Sequence, residues 1–302
     1  GCTTPDPTAI NEVVDNEVIA EVTSCPTGQW CLETLTKVSS ILRGVWAVSA
    51  DDVFAVGHGG TILRRISGVW TVMSSGTSYD LHAVWAMSSS NVWAAGSSGI
   101  ILHFDGTAWS IVPSGTTSDI DAVWGSSATD VWFAGSGQVL HWAGLPVTLT
   151  PFGGSVLSIS GTGPMDVWIA GETMQLGHFD GTSWHSSNPP ETTTTEWFAI
   201  LAIRSSDVWA TSTLLNKETW HYTGAGNWTA QKVGLGITFA SLAARASNDI
   251  WGVGGTHVGH WNGAAWFTTQ PFGTSVALHS VTTTTGDVWV VGDAGLIAHQ
   301  VP

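Results

Sequence analysis

Residues Leu81–Gly115 read LHAVWAMSSSNVWAAGSSGIILHFDGTAWSIVPSG. Four short apolar runs stand out: Leu81–Met87, Val92–Ala95, Ile100–Phe104 and Ala108–Val112. Ser, Asn, Gly and Asp separate them. Short runs of β-branched and aromatic residues between turn formers read as strands joined by tight turns. The stretch is therefore one antiparallel unit of four strands, here lettered a to d.

The unit recurs along the chain. Its clearest marker opens strand b: an acid or amide, then Val or Ile, then an aromatic residue. The marker stands at Asp52, Asn91, Asp130, Asp166, Asp207, Asp249 and Asp287, at spacings of 39, 39, 36, 41, 42 and 38 residues. A period near 40 with four strands per repeat is the signature of a β-propeller. A single repeat cannot bury both of its faces, so neighbours must stack. Seven markers predict an all-β, seven-bladed propeller of four-stranded antiparallel blades.

The last repeat is short. Beyond Asp287 the chain supplies strand b (Val288–Val291) and strand c (Leu296–Gln300) and no strand d. Gly28-Gln29-Trp30-Cys31-Leu32 fits the slot of Thr107-Ala108-Trp109-Ser110-Ile111. The N-terminal strand is thus expected to complete the last blade and close the ring without an open edge. The domain reading is an acidic spacer over residues 1–24 and a propeller over 25–302.

Composition narrows the partners. The chain of 302 residues carries 19 Trp, only 8 Lys plus Arg, and a net charge of −15. Phosphate recognition relies on Lys and Arg, so nucleic acids and anionic membranes are disfavoured. No run of 18 apolar residues exists to span a bilayer. No cofactor is expected. An acidic surface is compatible with calcium, but no loop has the ligand spacing of a calcium motif.

Three cysteines point to an exported location. Cys25 and Cys31 flank the turn-like Pro26-Thr27-Gly28 at a spacing that suits a short disulfide loop. Cys2 follows Gly1 and precedes a polar, Pro-containing spacer. Gly-Cys at a processed start resembles the end of a bacterial lipobox, which makes Cys2 a candidate lipid anchor. The expected place is the cell surface or periplasm, or secretion outside the cell.

Most aromatic residues follow the repeat. Strand b supplies Trp93, Trp132, Trp168, Trp209, Trp251 and Trp289, and strand d supplies Trp30, Trp70, Trp109, Trp184, Trp228 and Trp266. Large flat side chains at repeating positions suit the packing of one sheet on the next. Six histidines share one slot in strand c: His103, His141, His178, His221, His260 and His299. Strand c lies roughly 10 Å outside the innermost strand, at two strand spacings, so equivalent positions in neighbouring blades cannot share one metal ion. A repeated hydrogen bond from imidazole to a turn or strand carbonyl is expected instead, and Arg64 takes the same slot in the first repeat.

The turns Phe104-Asp105-Gly106-Thr107-Ala108-Trp109, Phe179-Asp180-Gly181-Thr182-Ser183-Trp184 and Trp261-Asn262-Gly263-Ala264-Ala265-Trp266 resemble a shortened Asp-box. That motif marks the c–d hairpin of sialidase-like propellers. The full Asp-box has one more residue between Asp and Gly. The repeat over residues 28–302 is also similar to Trp-rich propeller repeats of exported bacterial proteins. A sialidase activity would need an arginine triad and a Tyr–Glu pair. The chain has no carrier for them, since Tyr222 and Arg64 sit in structural slots.

Strand directions put the d–a and b–c connections on one face of the ring and the regular a–b and c–d turns on the other. The first face carries the departures from the repeat. The connection before repeat five and its b–c turn bring Glu196, Trp197, Lys217, Glu218 and Trp220 together. Off-pattern tryptophans beside charges suit sugar stacking or a protein hot spot. A second candidate is the channel mouth, where Arg43, His82 and Asp121 begin strand a of consecutive repeats. Together these features read as a non-enzymatic binding module outside the cytoplasm. Its expected partner is an envelope protein in a protein–protein or assembly role. A glycan in a lectin role is the alternative. A glycan-active enzyme is a third reading, and it would need two facing carboxylates. Membrane contact is expected only through Cys2.

Overall fold

A computed structural model describes residues 18–21, 25–33, 38–144, 148–172, 176–189, 196–212, 218–233 and 236–301. Cys2 and Lys217 lie outside the described residues, as does most of the acidic segment before Cys25. Each repeat supplies a strand a of six to eight residues, such as Leu42–Ser49, Leu81–Ser88 and Leu278–Thr283. The marker residue opens strand b, as at Asp52–Gly57 and Asn91–Gly96. Strand b is buried along almost its whole length, because it is covered on both faces by neighbouring repeats. The core is therefore a set of clusters between sheets, each holding side chains of two repeats, such as Phe54 and Val56 against Val84, Leu102 and Phe104.

The strands form six hydrogen-bonded sheets, so the ring has six blades where the repeat count predicts seven. Four sheets have four strands. The difference comes from repeats three and four, which share one six-stranded sheet. Strand Thr148–Gly163 runs without a break. Its first part pairs with Asp130–Trp142 and its second with Asp166–Gly171. Elsewhere a loop separates strand d from the next strand a. Here the backbone stays extended, and one sheet takes both repeats. The sheet of repeat one has five strands, because Val18–Glu21 pairs antiparallel with the outer strand Val69–Met73.

The ring closes through the two ends of the chain. Trp30–Leu32 pairs antiparallel with Ile297–Gln300, with Trp30 opposite Gln300 and Leu32 opposite Ala298. Gly28 N donates to Val301 O at 2.6 Å and Glu33 N to Ile297 O at 2.9 Å. Cys25 and Cys31 form a disulfide across the turn that leads into this strand. Disulfides persist in oxidising compartments.

Tight b–c turns of three residues recur at His58–Gly60, Ser97–Gly99 and Asp293–Gly295. Gly99 has φ +73°, and a Cβ there would lie 2.2 Å from Thr116 O. Only glycine allows the turn to sit this close to the d–a connection of its own repeat.

The strand-c histidines pair with the marker residue rather than with a backbone carbonyl. Imidazole Nε2 lies 2.5–3.1 Å from the carboxylate or amide oxygen of Asn91, Asp130, Asp166, Asp207 and Asp249. The strand-b indole Nε1 donates to the same oxygen in four repeats, as from Trp168 to Asp166 at 2.8 Å. Each imidazole also stacks on that indole, with centroids 3.9–4.6 Å apart. One marker residue thus locks an aromatic residue and a histidine from adjacent strands. Repeat one makes the same lock with other residues. Arg64 Nε and Nη2 donate to Asp52 at 2.9 and 3.0 Å, and the guanidinium lies over Phe54 at 4.7 Å.

Repeat seven breaks the lock. His299 Nδ1 lies 2.9 Å from Glu33 Oε1, a carboxylate buried at the closing strand, with Arg65 Nε 3.9 Å from the same oxygen. The carboxylate of Asp287 then accepts no hydrogen bond among the described residues. Burial raises its pKa above the usual carboxylate range, although His299 and Arg65 pull the other way.

Candidate functional site

The inner ends of the strands a surround a cavity of about 820 Å³. Inside it, hydroxyls bind one strand a to the next. Ser280 and Thr282 accept from Val45 N and Ala47 N, and Ser158 and Ser160 accept from Ile200 N and Ala202 N. In repeats one to three aromatic packing takes over: Trp46 meets Trp85 at 6.3 Å, and Trp85 and Trp124 lie over Gly125 and Gly161, where a Cβ would clash. Hydrogen bonds and aromatic packing between repeats thus hold this wall together.

At the mouth, each repeat contributes one residue at the inner start of its strand-a segment, which in repeat six lies just before Ser241–Ala246. Register with strand b makes these positions His279, Arg43, His82, Asp121, Leu157, Phe198 and Ala240 in order around the ring. All of them line the cavity. The ring is divided. His279, Arg43, His82 and Asp121 form one continuous polar arc, and Leu157, Phe198 and Ala240 form an apolar arc opposite.

The polar arc is held by short local contacts. His82 Nδ1 lies 2.9 Å from Asp121 Oδ1, and its Nε2 lies 3.2 Å from Ser97 Oγ. Arg43 Nε donates to His58 Nε2 at 2.9 Å. His279 Nε2 lies 2.7 Å from Asp293 Oδ1. In three repeats the strand-a residue is thus fixed by the first residue of the adjoining b–c turn. Outside this ring, Asp80 Oδ1 accepts from Gly59 N and Asp119 Oδ1 from Ser98 N, each at 2.8 Å.

Of the sequence candidates, Arg43, His82 and Asp121 do come together at this mouth. His279, which the marker count passes over, belongs with them. Its signal is Leu278-His279-Ser280-Val281, which matches Leu81-His82-Ala83-Val84. The apolar arc carries no local signal at all, because Leu157 and Phe198 read as ordinary strand residues.

The other candidate group behaves differently. Trp197 is 1% exposed and Trp220 5%, and both pack with Trp168, Ile200 and Trp228 in one core cluster. They offer no exposed aromatic platform. Trp197 takes the core-facing slot of Leu42 and Leu81, and burial of an indole there outweighs display. Glu196 is exposed and takes the position of Asp80 and Asp119 on the outer rim. Glu218 opens strand c of repeat five, opposite Lys232.

The c–d turns on the far face are closed by their own acids. Asp105 Oδ1 accepts from Thr107 Oγ1 at 2.6 Å, Thr107 N at 2.8 Å and Ala108 N at 3.0 Å. These bonds, that from the Thr107 hydroxyl foremost, lower the Asp105 pKa to about 2. Asp180 is held the same way by Thr182 and Ser183. The Asp-box-like residues therefore shape turns. Among the described residues no cluster of three or more His, Cys, Asp or Glu is placed to hold a metal ion, and no helix is long and apolar enough to cross a membrane.

No protein-family model matches this chain, and neither does any curated protein. Solved structures match it in fold. A structure of YCF48 bound to D1 peptide superposes with a TM-score of 0.74 at 14% identity, over 94% of this chain and 99% of that one. Virginiamycin B lyase from Staphylococcus aureus gives 0.79 at 14% identity, over 91% and 99%. The WD40 propeller domain of Doa1 gives 0.77 at 13% identity, over 90% and 97%. At such identities the likeness is one of fold, and propellers host many activities.

Proposed function

We propose that this propeller is a binding module that docks a protein partner on the face around the cavity mouth, outside the cytoplasm. The divided mouth carries this reading. A polar arc and an apolar arc face each other on one ring, and convergent polar groups beside apolar surface are what recognition sites use. The YCF48 propeller, bound to a peptide in its own structure, supports the use of this fold for polypeptide recognition. The Cys25–Cys31 disulfide supports the location. With Trp197 and Trp220 buried, a lectin reading would rest on the channel-mouth residues alone.

The test is capture of cross-linked partners from native envelope extract. Three forms are compared: wild type, the mouth variant Arg43→Ala/Phe198→Ala and the far-face variant Asp105→Ala, each first shown folded by its melting curve. The expected result is a stoichiometric protein held by wild type and Asp105→Ala and lost from the mouth variant. Equal recovery by all three, or release by free sugars, would overturn the reading.

A further inference from the structure

Arg43 is the one Lys or Arg side chain that lines the cavity among the described residues. Its Nε donates to His58 Nε2. That bond orients the guanidinium. The two terminal nitrogens of Arg43 make no hydrogen bond among the described residues, and the side chain is exposed. They are open to an acceptor from outside the chain.

The acids near it make their hydrogen bonds to other groups and none to Arg43 among the described residues. Asp121 faces His82, Asp293 faces His279, and Asp80 and Asp119 accept backbone N–H groups. What the polar arc still offers is therefore a planar pair of donors, flanked on both sides by imidazoles. That is the complement of a carboxylate, which guanidinium binds through two parallel hydrogen bonds. Across the cavity, Leu157 and Phe198 are partly exposed to it. A lone carboxylate would leave them wet.

We propose that the mouth takes the C-terminal carboxylate of a peptide whose last residues are apolar. The carboxylate sits on the Arg43 terminal nitrogens and the apolar side chains lie against Leu157 and Phe198. This deepens the docking reading and rests on it. A cavity of about 820 Å³ holds several residues of chain. The net charge of −15 repels an anion at a distance. Recognition must then come from the contact at Arg43 and not from steering.

The probes are N-acetyl-Gly-Gly-Leu-Leu with a free carboxyl, the same peptide as its C-terminal amide, and hexanoate. Binding to the full chain is read by calorimetry and by the fluorescence of the cavity-lining Trp46 and Trp124. The free acid should bind about tenfold or more tightly than the amide, the effect of one charge-assisted pair. Arg43→Ala should abolish that difference, and Arg43→Lys should keep part of it. Equal binding of acid and amide, or no change in Arg43→Ala, overturns the proposal. So does binding of hexanoate as tight as the peptide, which would make this a small-carboxylate site. No binding of the acid up to about 10 mM overturns it too. If the probes fail while Arg43→Ala/Phe198→Ala still loses the captured protein, the docking reading stands without the carboxylate. If the mouth variant keeps that protein as well, both fall.

Discussion

Asp166 and Asp287 hold the same position in the repeat, yet replacing each by Asn should move stability in opposite directions. Asp166 receives hydrogen bonds from His178, Trp168 and Thr162. Burial raises its pKa, but these bonds outweigh burial and hold it below the usual value. Asn would keep one acceptor oxygen, as Asn91 does natively for His103 and Trp93. It would lose the charge on bonds that are worth about 1 kcal/mol more each when ionised. We expect Asp166→Asn to cost roughly 1–2 kcal/mol at pH 7. Asp287 has burial without those partners, and its folded pKa is raised. It therefore favours folding only while protonated, and that contribution is lost as pH rises through the raised value. At pH 7 its charge is a cost. Asp287→Asn should add about 1 kcal/mol, a modest figure because the group keeps some contact with water. For a chain of this size each kcal/mol moves Tm by about 2 °C. Calorimetric melts at pH 7 should separate the two variants by about 4 °C or more. The sign of the pH dependence also differs. The Asp166 contribution is present above the ordinary carboxylate pKa and fades as pH falls through its lowered value. The gain from Asp287→Asn shrinks as pH falls through the raised folded value and is gone below about 4, where Asp287 is protonated in both states. A destabilised Asp287→Asn at pH 7 would refute the view that Glu33 has drawn His299 away and left Asp287 unpaired.

Three further outcomes follow from the seam, the turns and the core. Cys25→Ser/Cys31→Ser should lower stability by roughly 2 kcal/mol through the short loop it opens, read as a lower Tm that reducing agent no longer changes. Asp105→Ala should destabilise only above the range where Asp105 protonates. The wild-type contribution is complete above the ordinary carboxylate pKa and is lost as pH falls through about 2, which NMR titration of the carboxyl carbon can follow. Trp220→Ala should cost about 3–5 kcal/mol because it empties a buried site, and denaturant melts will show whether that loss is as large as the burial implies.

Much of this molecule is legible in its residues. The marker before Val-Trp, the glycine turns and the run of strand-b tryptophans locate the four strands of most repeats. They do so because strand alternation and turn chemistry are local. The fit of Gly28–Leu32 to strand d is read the same way, one repeat against another. The Arg43, His82 and Asp121 positions were visible for that reason too. The apolar arc was not, since Leu157 and Phe198 differ from core residues only in what stands across the cavity from them. Trp197 and Trp220 misled because being off-pattern in sequence says nothing about which side of a sheet meets a neighbour.

By itself, then, the sequence determined the repeat, the strand order and the acidic, tryptophan-rich character of the ring, all of which follow from short-range pattern. Only the tertiary structure decided that repeats three and four share one sheet. The reason is that Thr148–Gly163 finds ladder partners on both sides and has no cause to break. It also decided that His299 turns to Glu33, and that four polar residues from separate repeats face three apolar ones across the mouth. Those outcomes depend on groups that are far apart along the chain and meet only when the ring is closed.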